Sequence, residues 1–441
     1  MNYHALSIAK CGYEVDLCGY KESKLMDEVI ENPLITVREI PVVKNAYKLP
    51  FVLFAPYKVV KQHWILYDLL KQLKRADFLL VQNPPSIPVL GMVRFFSLFM
   101  SPRTKVIIDW HNLGYSILAL KFPDNPNHPF VKIYKWYENW FGYRSFVHLT
   151  VTVALGQFLR TEFAMNAKRI IPLYDRPASQ FSLLSESQRK EIISKYQTTL
   201  FKDFDAKTEK ILVTSTSYTP DEDLTILLEA LEKYSLASNP SSQTTEEKPT
   251  SDDNKSESKK SQILTRSSAS TQLPPLRVII TGKGPMFKET RAKIDALQPT
   301  LHNISIHTTW LPIEDYPKVL GAADLGISLH QSSSGWDLPM KIVDMFGCGV
   351  PVISLSFPAI SELVKHSENG LIVDTSTDMA KQLAKLFTNP ATLNNLKRGA
   401  VRESRIKWDT NWTEKLGPLF GVGQYREPAP GEDDSSSSDD D

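Results

Sequence analysis

A chain of 441 residues with 42% hydrophobic and 23% charged side chains can bury two cores, which excludes a disordered or fibrous class. Its 51 basic and 50 acidic residues leave a formal charge of +1, so no general attraction to nucleic acid is implied. Cys11, Cys18 and Cys348 lack zinc-ligand spacing and read as free thiols, and no signal peptide or apolar run of about eighteen residues is recognisable.

The chain opens with an amphipathic helix over Tyr3 to Lys10, which Gly12 ends, and a strand over Tyr13 to Cys18. A helix with no strand before it is an unusual start for a parallel α/β domain. Further strands are expected over Thr36 to Pro41, Phe78 to Gln82, Lys105 to Asp109, Leu149 to Val153 and Arg169 to Pro172. Helices fit between them, notably Tyr57 to Leu73 and Pro129 to Trp140. This alternation predicts a parallel sheet covered on both faces, with functional residues beyond the carboxyl ends of its strands.

Two strand ends carry suggestive side chains. After Val81-Gln82, Asn83 precedes a double proline and can cap the next helix or bind sugar hydroxyls, the cap being the favoured reading. After Ile107-Ile108, the run Asp109-Trp110-His111-Asn112 sets a carboxylate, an aromatic ring, an imidazole and an amide at one tip. Further on, Tyr134 to Phe146 holds seven aromatic side chains beside Lys135 and Arg144. Such a segment suits core packing or the headgroup layer of a membrane.

Past Tyr174-Asp175-Arg176-Pro177 the composition turns polar, which places a domain boundary there. The expected division is an N-terminal domain over 1–175, a connection over 176–210 and a second α/β domain over 211–400. A returning helix over 401–420 and a disordered acidic tail over 424–441 complete it. In the second domain a strand over Ile211 to Ser215 leads into Asp221-Glu222-Asp223, acids read as a helix start rather than a metal site, and a helix to about Tyr234. Residues 235–275 are rich in Ser, Thr, Lys and Glu and predict a disordered insert. Strands over Arg277 to Ile280 and Ile304 to Thr308 follow, the first ending in Gly282-Lys283-Gly284, where main chain can approach a ligand closely.

The richest stretch is Ala323 to Val373. It reads as a strand over Leu325 to Leu329, a Ser/Gly loop, a helix from near Leu338, a strand over Val350 to Leu355 and a second helix. Ser332, Ser333, Ser334 and Gly335 before a helix N-terminus make an anion-binding pattern, because unpaired N–H groups and the helix dipole meet there. Lys341 and Asp344 fall on one helical face, a cation for phosphates beside a carboxylate for vicinal hydroxyls. A last helix is expected over Asp378 to Phe387 with Thr377 as its cap, and Trp408 and Trp412 read as packing anchors.

The run L-P-M-K-I-V-D-M-F-G-C-G-V-P-V-I resembles the donor-site helix and turn of GT-B glycosyltransferases. More narrowly, H-x-S-S-S-G-x-D-L-P-M-K-x-V-D-M-F-G-C, D-W-H-N-x-G-Y-S, Y-D-x-P-A-S and S-T-S-x-T-x-D-E-D resemble the chitobiosyldiphosphodolichol β-mannosyltransferase family. That family adds the first mannose to the dolichol-linked chitobiose precursor of N-glycans. The resemblance implies an α/β GT-B fold, two Rossmann-like domains facing across a cleft. It also implies a membrane anchor, a first strand and a Gly-rich loop ahead of this chain's opening helix, so the N-terminal sheet is expected to miss its first strand.

By the same resemblance the donor is GDP-mannose and the acceptor dolichol-linked chitobiose diphosphate, on the cytosolic face of the endoplasmic reticulum membrane. Gly282, Lys283, Gly284, Ser333, Ser334, Gly335, Leu338, Lys341 and Asp344 are then expected to hold the nucleotide sugar. Asn83, Trp110, Asn112 and Asp337 would meet acceptor or mannose, Asp337 with helix capping as an equal alternative. The catalytic base is Asp109 or His111, with a slight lean to Asp109. The fold requires no cofactor; a divalent cation would enter as counter-ion of the diphosphate. Expected partners are the two substrates, a membrane surface and sister glycosyltransferases, with no nucleic acid. The alternatives are a retaining enzyme of this fold, a bare nucleotide-binding module, and a catalytically impaired form that binds lipid-linked sugar or a partner glycosyltransferase.

Overall fold

Each short apolar run becomes a strand of a parallel sheet in the computed structural model, which describes residues 1–20, 25–45, 48, 50–73, 75–238 and 273–422. The N-terminal half runs α1 (Asn2–Lys10), β1 (Val15–Gly19), α2 (Asp27–Ile30), β2 (Ile35–Glu39), α3 (Phe51–Gln72), β3 (Phe78–Asn83) and α4 (Val89–Phe95). A π-turn (Phe96–Met100) extends α4. Then come β4 (Lys105–Trp110), α5 (Gly114–Ala119), α6 (Pro129–Gly142), β5 (Val147–Thr150), α7 (Val153–Thr161) and β6 (Ile170–Pro172). Strands β3-β4-β5-β6 form one parallel sheet, while β1 and β2 pair apart from it. Among the described residues no strand joins the two sheets.

The C-terminal half runs α8 (Glu186–Lys195), β7 (Lys210–Thr216), α9 (Leu224–Ala237), β8 (Leu276–Gly282), α10 (Phe287–Leu297), β9 (Ile304–Thr309) and α11 (Tyr316–Ala322). It ends with β10 (Leu325–Ser328), α12 (Met340–Gly347), β11 (Val352–Leu355), β12 (Gly370–Val373), α13 (Ser376–Thr388), α14 (Pro390–Ser404) and α15 (Trp408–Leu416). Its six strands lie in the order β12-β11-β10-β7-β8-β9, all parallel. Alternate strand residues serve opposite faces. Leu212, Val278 and Ile280 pack under α9 and α13, while Ile211, Val213 and Ile279 pack under α11 and α12. Strand order reverses between β7 and β10, so the loops that follow them open the crevice where ligands of such sheets bind.

The last helix returns to the first domain. Trp408 and Trp412 of α15 are buried against Ile107, Val147 and Leu149 of the N-terminal sheet, and their indole nitrogens donate to Ser7 Oγ (3.0 Å) and His4 Nδ1 (3.1 Å) of α1. Cys11, Cys18 and Cys348 are free thiols.

Several boundaries differ from expectation for local reasons. Helix α12 starts at Met340, not Leu338, because the residue before Pro339 is sterically driven out of the helical region. Strand β11 starts at Val352, after Pro351, which has no N–H to give a ladder. The expected helix after β11 is a single 3₁₀ turn, Ile360–Glu362. The Asn369 side chain takes the backbone groups that a longer helix would use, donating to Leu363 O (3.1 Å) and accepting from Lys365 N (2.8 Å). Thr375, not Thr377, caps α13. Helix α3 begins six residues before Tyr57 and contains Pro56, which forfeits one ladder bond.

The two ends of the expected 235–275 insert are described and packed. Ser235 Oγ donates to His302 O (2.8 Å), the Tyr234 hydroxyl donates to Pro274 O (2.9 Å), and Leu273 is buried. Residues 239–272 and the acidic tail lie outside the described residues.

Candidate functional site

On the C-terminal side the crevice is built by the loops after β7, β8 and β10. An isolated bridge between Glu222 and His330, with Gln331 N donating to Asp221 O (3.0 Å), ties the first loop to the third. In the third, Gly335 turns with φ +82, a left-handed value that suits glycine. Ser332 Oγ accepts from Gly335 N (2.8 Å) and Ser334 Oγ from Trp336 N (3.2 Å). The loop delivers its chain to the N-terminus of α12, which has no side-chain cap, so its first N–H groups remain for an anion.

Lys341 and Asp344 occupy successive turns of α12. The Lys341 ammonium pairs with Glu222, whose other oxygen accepts from Thr216 Oγ1 (2.9 Å) and Ser217 N (2.6 Å). Burial lowers the Lys341 pKa to about 8, against the opposing charge of Asp221. Burial also raises the Asp344 pKa to about 7. Asp344 makes no side-chain hydrogen bond among the described residues, which leaves both oxygens for a ligand. Asp337 accepts from Ser332 Oγ and lies 3.3 Å from His330 Nε2. Burial opposes its charge, but His330 and Ser332 more than offset this and hold its pKa low.

On the N-terminal side, β4 and the turn after it carry Asp109 to Asn112. Asp109 Oδ2 lies 2.8 Å from His111 Nε2 and 3.2 Å from His4 Nε2. Burial alone would raise its pKa, yet the two imidazoles hold it far below the usual carboxylate range. Burial likewise opposes charge on His111, and Asp109 outweighs it, so the His111 pKa is raised. The His111 side chain is 32% exposed and that of Asp109 4%. His111 Nδ1 has no protein partner among the described residues. Of the two, the imidazole is the more exposed, and the buried carboxylate holds its other ring nitrogen.

The two sides meet. Asn112 Nδ2 donates to Ser333 Oγ (3.4 Å), Ser116 Oγ lies 3.3 Å from the same oxygen, and Thr152 Oγ1 donates to Trp336 O (2.7 Å). Glu362 reaches across to accept from Val153 N, Ala154 N and the Tyr174 hydroxyl, each at 2.7 Å.

Four expected contacts take other roles. Asn83 is fully buried and its amide donates to Glu138 (2.9 Å), so it neither caps α4 nor faces a sugar. Trp110 is core: its ring packs on Phe163 and its indole nitrogen donates to His148 Nδ1 (3.2 Å). Both faces of this sheet are covered, so the strand residue next to Asp109 points inward. The close approach at Gly282 and Gly284 is to the protein itself, since a Cβ on either would stand 1.7 Å from a carbonyl oxygen of Thr216 or Ser217. Asp337 does not cap α12. Leu338 is half-buried against the apolar cluster under α12, and Lys283 stacks on the exposed Trp310 ring at 4.3 Å.

Three contributors escaped the sequence reading. Glu138 on α6 is buried and accepts from Asn83 Nδ2, Ser86 Oγ (2.8 Å), Gly114 N (2.7 Å) and Tyr115 N (3.2 Å), locking the tips of β3 and β4 together. It is the lone acid of an aromatic helix, which was the available signal. Nothing local marks His4 or Glu222. Among the described residues no cluster of His, Cys, Asp and Glu is arranged to hold a metal ion.

Two Rossmann-like domains with an anion-binding helix terminus facing a carboxylate–imidazole pair define a GT-B glycosyltransferase. A family model for group 1 glycosyl transferases matches residues 256–389. Structures of the same fold include Anabaena HepE in complex with UDP (TM-score 0.61, 15% identical, 96% of each chain covered). Another is WaaG, a glycosyltransferase of lipopolysaccharide biosynthesis (TM-score 0.59, 12% identical, 96% of this chain and 95% of that one). Sequence relatives narrow the class. The chitobiosyldiphosphodolichol beta-mannosyltransferase of Yarrowia lipolytica is 52% identical over 444 residues, 100% of this chain and 88% of that protein. The Homo sapiens protein of that name is 36% identical over 95% of this chain and 89% of its own length. The chain belongs to the chitobiosyldiphosphodolichol beta-mannosyltransferase family.

Proposed function

We propose that the protein is an inverting β-1,4-mannosyltransferase. It moves mannose from GDP-mannose to O4 of the terminal GlcNAc of chitobiosyl diphosphodolichol, at the cytosolic face of the endoplasmic reticulum membrane. The observation that carries this reading is the Asn112–Ser333 hydrogen bond, which sets the anion-binding loop beside the Asp109–His111 pair. The names of the relatives supply the acceptor and the β-linkage.

An α-linked donor sugar and a β-linked product require one in-line displacement. His111 Nδ1 takes the O4 proton while Asp109 holds the other ring nitrogen. The bond from O4 to the anomeric carbon forms as the carbon–diphosphate bond breaks, and the electron pair leaves on GDP. Lys341, the Ser333–Ser334–Gly335 loop and the free N–H groups of α12 stabilise that charge. Asp344 accepts from the ribose hydroxyls, and Asp337 accepts from a mannose hydroxyl. A divalent cation, if bound, would supply charge to the diphosphate as its counter-ion; among the described residues no cluster of side chains is arranged to hold one.

The test is transfer of labelled mannose from GDP-mannose to a chitobiosyl diphosphate carrying a short saturated lipid, followed by digestion with β- and α-mannosidase. Release by the β-enzyme alone is expected. An α-linked product, or GDP binding with no transfer, would overturn the reading.

A further inference from the structure

The Asp109–His111 pair is backed by two further residues. Helix α1 turns His4 and Ser7 inward, and α15 meets them with Trp408 and Trp412, one helical turn apart. The buried His4 ring stands edge-on to Trp408, with centroids 5.0 Å apart and 87° between planes, and its Nδ1 lies 3.1 Å from the Trp412 indole nitrogen. An indole N–H can only donate, so Nδ1 of His4 carries the lone pair and Nε2 the proton. That Nε2 lies 3.2 Å from Asp109 Oδ2, the oxygen that His111 Nε2 also approaches, at 2.8 Å. An ionised carboxylate only accepts, so the donors run in one direction, from Trp412 to His4 to Asp109.

A buried histidine on the inner face of a helix is ordinarily a packing residue, and the contact with Trp408 serves that role. What packing does not explain is the choice of partner: the His4 proton goes to the carboxylate that also holds His111. Two donors on one oxygen restrain the carboxylate against rotation and leave it a weaker base than one donor would. Two other charges act on His111 with opposite sign, since Asp175 favours its cation and the Met1 ammonium opposes it. Both stay in place in every variant below.

We propose that His4 and Trp412 are positioning residues for His111. The Trp412 N–H fixes the tautomer of His4, and His4 holds Asp109 so that the carboxylate engages Nε2 of His111 and leaves Nδ1 for the acceptor's proton. Neither residue touches a substrate. Resting on the function proposed above, this makes the returning helix α15, which follows the donor-side domain in the chain, a determinant of the base geometry on the acceptor side.

The experiment is the pH profile of transfer to the short-lipid acceptor by the full chain, with an NMR titration of the His111 ring, its signal assigned by its loss in His111→Ala. His4→Leu removes a donor from Asp109, so the carboxylate becomes more basic and the His111 pKa rises. The acidic limb of kcat/KM and the ring titration should both move to higher pH by about one unit. Above the limb kcat should fall about tenfold, with KM for GDP-mannose unchanged. His4→Gln, whose amide reaches Asp109, should return the limb to its wild-type position. His4→Asn still accepts from Trp412 but is too short for Asp109, so it should shift the limb as leucine does, and it serves where the leucine variant fails to fold. Trp412→Phe should lower kcat in the wild type and add little in the His4→Leu background. Leucine and asparagine variants that lose Tm but keep the limb and the ring titration in place would overturn the inference, leaving His4 a packing residue. So would Trp412 and His4 effects on kcat that simply add. The ring titration is read without turnover, so a wild type that transfers no mannose would count against the catalytic reading alone.

Discussion

Asp344→Asn should make the protein more stable at high pH and worse at holding its nucleotide. The Asp344 carboxyl titrates at 3.8 in an open chain and at about 7 in the fold, because burial disfavours its charge. Between those values the folded protein keeps a proton that the unfolded chain has lost, so this group subtracts stability as pH rises through the interval and adds no further slope above it. At about 1.4 kcal/mol per tenfold, the ceiling on that loss is about 4 kcal/mol. The asparagine variant keeps the shape without the charge. Its advantage over wild type should be near zero at about pH 4 and approach about 4 kcal/mol at about pH 8, roughly 8–16 °C in the melting of the C-terminal domain. GDP should reverse the order: a carboxylate accepting from two hydroxyls binds best ionised, so wild-type affinity should tighten through about pH 7 and that of the variant should not. Thermal melts at both pH values, with and without GDP, read every part of this. A variant advantage equal at the two pH values would refute the buried-carboxyl argument.

Three further outcomes are expected. Lys341→Ala should lower kcat by about 100-fold or more. It should also destabilise by about 3 kcal/mol, because Glu222 is left buried without its partner; adding Glu222→Gln should restore the melting temperature but not turnover. His111→Ala should cost at least about 100-fold in kcat. Asp109→Asn removes the carboxylate that raises the His111 pKa, so the acidic limb of the kcat/KM profile should move to lower pH; an unmoved limb would detach His111 from the proton transfer. Trp412→Ala should cost about 3–5 kcal/mol by chemical denaturation, since a buried ring against the N-terminal sheet leaves a cavity.

The parallel sheets were legible because both faces of each are covered, so their strands stand out as apolar runs between polar loops. The loop from Ser332 to Gly335 and the helix behind it were legible for the same reason, since small residues before a helix start have a local purpose. What the sequence hid was direction. Asp109, Trp110 and His111 are neighbours, yet one is a buried carboxylate, one is core and one is partly exposed, as the alternation of a doubly covered strand demands. The glycines flanking Lys283 signal closeness without naming the neighbour, which is the backbone after β7. Glu138 and His4 act on partners far along the chain, 55 residues away for Asn83, and such pairings leave no periodic trace.

Glu362 has a mechanical consequence. Three bonds at 2.7 Å to one carboxylate are charge-assisted, whereas the neutral Asn112–Ser333 and Ser116–Ser333 contacts stand at 3.3–3.4 Å. The grip between the two lobes is therefore uneven: firm where the Glu362 carboxylate clasps the start of α7 and Tyr174, and slight where the serine loop touches Asn112 and Ser116.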